Sequence, residues 1–104
     1  MNEGEWYDRQ GNPVSLIEWA NLFHDPDYKI VKQDQVGDYW ISTVWLGLDH
    51  GLRLPGRRKE IFETLVFHRP PGKDLGDDVD CERYSTEDEA LEGHEDMVER
   101  WTSD

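Results

Sequence analysis

The chain has 104 residues, 24 of them acidic and 11 basic, for a net charge of −13, and that length suits one domain with one two-layer core. So negative a field repels nucleic acid and anionic membranes, and it favours basic partners. Cys81 is the only cysteine, which excludes a disulfide-stapled scaffold, and no apolar run approaches the ~20 residues that span a bilayer.

Hydrophobic residues are only 36% of the chain, but 12% are aromatic and five are Trp. Few, large apolar groups can still close a core, because each aromatic ring buries a large area. The acidity is concentrated: residues 74–104 hold 13 acids and two bases, whereas residues 1–73 hold 11 acids and nine bases. The polar start MNEGEWYDRQ has no basic n-region and no apolar h-region, so a signal peptide is not expected and a cytoplasmic location is.

Taken in order, the chain opens with a short strand over 5–9 and a turn at Gly11-Asn12-Pro13. Ser15 and Glu18 form a capping box, with Val14 and Trp19 placed as a hydrophobic staple. Leu16, Trp19, Ala20 and Phe23 then share one helical face, and Asp25-Pro26-Asp27 stops the helix near His24. YKIVKQDQV (28–36) reads as a strand and Gly37-Asp38 as a turn. YWISTVWLGLD (39–49) is the strongest strand signal, and the short connection implies an antiparallel hairpin.

On the 39–50 strand the even residues Trp40, Ser42, Val44, Leu46, Leu48 and His50 share one face, which is the more apolar and is taken as the core side. His50 then sits at the rim of the core, and Asp49 faces solvent. Residues 50–59 form a loop, 60–68 a strand, 69–78 a second loop and 81–85 a short strand. The last helix starts at Ser85 or Thr86, with a second capping box from Thr86 to Glu89. Ala90, Leu91, His94, Met97, Val98 and Trp101 form its apolar stripe, and Glu87, Asp88, Glu92, Glu95, Asp96 and Glu99 form its other face. The expected architecture is one α+β domain over 1–104: an antiparallel β-meander of three to five strands with two helices packed on one face, in two layers.

The segments WYDRQGNPVSLIEWANLF, ISTVWLGLDHG, IFETLVF and ERYSTEDEALEGHEDMV resemble a family of small acidic proteins of bacteriophages and actinobacterial genomes. The resemblance covers most of the chain and breaks in the loops 52–59 and 69–80. It carries no catalytic signature, so no functional residue transfers from it. What it implies is a phage or prophage context and an accessory role against a host protein.

Chemistry-bearing patterns are sparse. There is no HExxH, no CxxC, no phosphate-binding glycine loop and no nucleophile elbow. His50 and His94, with Glu63 as carboxylate, are the one set that could converge on a metal or on acid–base work. The preferred reading of His94 is structural, at the rim of the core and bonded to a backbone carbonyl. Glu63 is read as solvated on an exposed apolar face, and Cys81 as a small buried hydrophobe. Arg53, Arg57, Arg58 and Lys59 make a basic loop, either a patch for an acidic partner or a counterweight to the acidic helix.

Both faces of the central hairpin carry aromatics. Tyr39, Ile41 and Trp45 are expected to lie open, which marks a docking face or a homodimer interface, unless Trp6 and Tyr7 cover them. The expectation is a non-enzymatic, cofactor-free binding module for a basic or nucleic-acid-binding protein, acting through Tyr39, Ile41 and Trp45 or through Glu92, Glu95 and Glu99. The alternatives are a nucleic-acid mimic and the small His/carboxylate site.

Overall fold

The computed structural model describes residues 6–49 and 58–102. Four strands, β1 (Ile30–Val36), β2 (Tyr39–Trp45), β3 (Phe62–His68) and β4 (Asp78–Tyr84), form one antiparallel meander in chain order. Three helices, α1 (Leu16–Phe23), α2 (Pro26–Lys29) and α3 (Glu87–Thr102), complete the α+β fold. The helix α3 lies across all four strands. Over Trp45, on the same side, pack Trp19, Leu22 and Phe23 of α1 and Tyr28 of α2.

The first strand is reduced to two isolated bridges, Trp6 to Leu48 and Tyr7 to Pro13. The capping box of α1 forms, with the Glu18 N–H donating to Ser15 Oγ at 3.1 Å and the Ser15 N–H reaching Glu18 Oε1 at 3.4 Å. The inner side of α1 keeps Trp19, Ala20 and Phe23 of the expected face and adds Leu22, whereas Leu16 departs from it and points to solvent, 52% exposed. Asp25-Pro26-Asp27 ends α1 and also starts α2. Asp25 accepts the Asp27 N–H at 3.1 Å and Pro26 takes the first helical position, where its missing N–H costs nothing. That is why β1 begins at Ile30 rather than at Tyr28.

Ladder pairing in β2 stops at Trp45. The N–H groups of Leu46 and Gly47 both donate to the Ile61 carbonyl, and Gly47 has φ +70°. A Cβ there would stand 2.4 Å from the Trp45 ring and 2.7 Å from that of Trp19, so glycine is required on both counts.

The core lies on the opposite face of β2 from the one expected. Ile41, Thr43 and Trp45 are fully buried, together with Phe62, Thr64 and Val66 of β3. Counting aliphatic groups misjudged the side because two threonines sit on the buried face and satisfy each other. The core has two parts. Trp45, Ile61, Phe62 and Ala90 form one, with Tyr7 packed against it; Ile41, Val66 and Met97 form the other. Burial of each large side chain contributes roughly 1.5–3 kcal/mol. The indole N–H groups that enter this packing find oxygens: Trp19 reaches the Leu46 carbonyl at 2.8 Å, Trp45 the Tyr7 carbonyl at 3.1 Å, and Trp101 reaches Asp80 at 3.0 Å.

The α3 capping box forms as read, with the Glu89 N–H donating to Thr86 Oγ1 at 3.1 Å. Glu89 also pairs with Arg58 at 3.0 Å, and the guanidinium beside it holds its carboxyl below the usual range against a smaller effect of burial. Leu91 leaves the apolar stripe and faces solvent, so the buried row is Ala90, His94 and Met97.

Candidate functional site

The most organised polar cluster runs from the middle of the sheet to its edge. Thr43 on β2 and Thr64 on β3 are direct cross-strand partners. Their hydroxyl oxygens are 2.5 Å apart. His94 reaches down from α3 and places Nδ1 2.6 Å from Thr43 Oγ1 and Nε2 2.7 Å from Asp34 Oδ2 on β1. One assignment satisfies every group: Nε2–H donates to the Asp34 carboxylate, the Thr43 hydroxyl donates to Nδ1, and the Thr64 hydroxyl donates to Thr43.

This arrangement repeats the hydroxyl–imidazole–carboxylate order of nucleophilic catalysis, but it is closed. Thr43, Thr64 and His94 have no exposed surface, and only the Asp34 end, with a side chain 41% exposed, meets solvent. An acyl group could not reach the Thr43 oxygen. Two shallow clefts lie nearby on the surface. One of ≈ 340 Å³ is lined by Arg9, Gln10 and residues 85–88, the other of ≈ 140 Å³ by Tyr84, Gly93, Met97 and neighbouring charges. Neither is lined by the chain of hydroxyls.

Gly93 explains how His94 gets so deep. A Cβ at that position would stand 2.1 Å from the Tyr84 ring, so glycine lets α3 settle on β4. The Tyr84 hydroxyl is buried with no hydrogen-bond partner among the described residues. Burial pushes this phenol upward, and the Thr64 hydroxyl beside it acts in the opposite sense.

The residues singled out from the sequence fall in different places. His94 is fully buried inside the core rather than at its rim, and its partners are side chains and not a backbone carbonyl. Glu63 lies on the other face of the sheet, paired with Arg83 at 3.0 Å and only 12% exposed, so it neither meets His94 nor stands solvated. His50, Arg53 and Arg57 lie outside the described residues. Arg58 pairs with Glu89, and Lys59 sits 4.7 Å over the Tyr7 ring. Among the described residues no three His, Cys, Asp or Glu side chains group to hold a metal.

The docking face expected at Tyr39, Ile41 and Trp45 is corrected. Ile41 and Trp45 are fully buried and Tyr39 packs on Trp101 with ring centroids 4.7 Å apart, because the helices cover this side. Cys81, expected buried, is exposed on β4. Partial desolvation of its sulfur and the nearby Glu63 carboxylate push the thiol up to about 11.

Asp34, Thr43 and Thr64 were not legible as a set. The available signal was an imidazole inside an apolar helical stripe, which requires polar partners across the interface.

Glu92, Glu95 and Glu99 are exposed on α3 with Asp88 and Asp96 beside them. Lys32 pairs with Glu95, and Arg9 clamps Glu87 through two bonds of 3.0 and 2.7 Å while also bonding the Tyr28 carbonyl at 2.9 Å. No helix among the described residues is long and apolar enough to cross a membrane. Comparison of the chain with family models, curated proteins and solved structures returns no match.

Proposed function

We propose that the chain is a non-enzymatic acidic binding module, a phage or prophage accessory protein that docks on a basic surface of a host protein through the outer face of α3. The observation that supports this reading is the charge pattern of that helix. Its inner row is buried, and its outer face carries Asp88, Glu92, Glu95, Asp96 and Glu99. Asp88–Glu92, Glu92–Asp96 and Glu95–Glu99 are like-charge pairs four residues apart. Each costs an isolated helix roughly 0.2–0.5 kcal/mol. A face chosen for stability alone would alternate signs. The closed Thr43–His94–Asp34 chain supports a structural rather than a catalytic use of that cluster.

The spacing also favours nucleic-acid mimicry. The five carboxylates fall about 1.5 to 6 Å apart along the axis at the helical rise, a mean of about 4 Å, against ~3.4 Å per phosphate on one strand of B-DNA. The test is capture from host lysate on immobilised wild type and on the E92K/E95K/E99K variant, with circular dichroism to verify folding. The expected result is a basic nucleic-acid-binding protein held by wild type only and released both by salt and by free duplex DNA. Equal retention on the variant overturns the reading. Release by salt but not by DNA leaves a basic partner and removes the mimic.

A further inference from the structure

Among the described residues no helix lies over the face of the sheet turned away from α3. Across it run Trp40 and Val44 of β2 and Leu65 and Phe67 of β3, with Ile30 opposite Val44 and Cys81 opposite Leu65. The four central side chains are only partly buried. Around them are Gln33, which bonds Ser42 at 2.9 Å, and Gln35, which bonds the Arg69 carbonyl at 2.8 Å. The described charges here cancel: Glu63 is paired with Arg83, Arg69 stacks over Trp40 at 5.0 Å, and Asp78 stands opposite Phe67. We infer that this neutral apolar face pairs with the same face of a second copy of the chain, sheet to sheet about a two-fold axis.

Charge and area select the occupant. A chain with a net charge of −13 repels its own kind, and this face is where two copies meet without opposing like charges. A basic partner is drawn instead to the acidic helix on the far side. Strands of seven residues, four abreast, present roughly 450 Å² in projection at ~3.4 Å per residue and ~4.8 Å per strand. Two such faces bury about 900 Å² together, just under the ~1,000 Å² of a stable specific interface and in the range of weak, transient ones. Face-to-face sheets sit ~10 Å apart, a gap that Trp, Phe and Leu side chains from both sides fill. A contact of that size is of the weak class, so dimer is expected to build up with concentration. It does not depend on the α3 reading, since α3 stays outward in both copies.

The test is sedimentation velocity of the full chain in ~0.15 M salt, so that long-range repulsion is screened, from about 1 μM to about 1 mM. The expected result is a shift from monomer to dimer mass with concentration. Leu65→Lys is expected to weaken it at least tenfold, since the two-fold axis doubles each added charge. Ser42→Lys, at a polar position on the same face, should do the same, with circular dichroism to verify that each variant is folded. In parallel, the alkylation rate of Cys81 at fixed pH should fall as dimer forms. A wild type that stays monomeric at the highest concentration overturns the proposal. So does a dimer that neither substitution weakens, or one in which Cys81 reacts at an unchanged rate.

Discussion

Thr43→Val is the sharpest perturbation of the buried polar chain. It keeps the shape of the side chain and removes one hydroxyl. His94 Nδ1 then loses its donor at 2.6 Å and Thr64 loses its acceptor at 2.5 Å, both with no exposed surface. A buried polar group left without a partner costs about 1–3 kcal/mol. Thr64 can turn toward the unpartnered Tyr84 hydroxyl, so one full orphan remains and the expected loss is about 2–3 kcal/mol. A domain of this size has roughly 5–15 kcal/mol in total. The midpoint should fall by ~8–24 °C at about 4–8 °C per kcal/mol.

The assay is urea unfolding followed by tryptophan fluorescence, with the slope m compared between variants to establish that the denatured state is unchanged. Thr64→Val and the double variant close a cycle, and the double should cost less than the sum by at least ~0.5 kcal/mol, because the two hydroxyls act as one unit. Adding His94→Leu to the double should recover much of the loss, since Asp34 is partly exposed and can be hydrated. A Thr43→Val variant within ~0.5 kcal/mol of wild type, or a strictly additive cycle, would refute the account of the network.

Gly93→Ala should destabilise by about 1–3 kcal/mol through the clash with the Tyr84 ring, even though alanine favours a helix by ~1 kcal/mol; thermal unfolding reads the sign, and a stabilised variant removes the argument for close approach. Asp80 is pushed up by burial, but bonds from Arg100, Trp101 and the Cys81 N–H together hold it below its ordinary 3.8. Its contribution is therefore present above that value and lost as pH falls through the lower folded one. The stability gap between wild type and Asp80→Asn, followed by acid titration, should shrink in that range and stay flat above pH ~5. Cys81 should alkylate slowly at pH ~8, because its thiolate is scarce with the thiol at about 11. Glu63→Gln, which removes the neighbouring charge, should speed the reaction, and an unchanged rate would show that the carboxylate has no part in it.

Local signals in the chain were sufficient for the elements. The Ser15–Glu18 and Thr86–Glu89 boxes set two helix starts through bonds within four residues, and Gly37-Asp38 set the tight β1–β2 hairpin. The alternation in YWISTVW and the acidic outer row of α3 were equally plain, because strand and helix periods are written in spacing alone.

What spacing could not decide was which side of β2 faces inward. Both sides are apolar enough, and the choice was made by α3, whose glycine at position 93 allows His94 to reach Thr43. That in turn makes two threonines better core residues than Val44 and Trp40. The same tertiary step buried Trp45, left the opposite face open, and separated Glu63 from His94 by the thickness of the sheet. A periodicity reports which residues share a face. Which face is buried depends on the element that lands on it, and here that element lies some fifty residues further along the chain than the strand it covers.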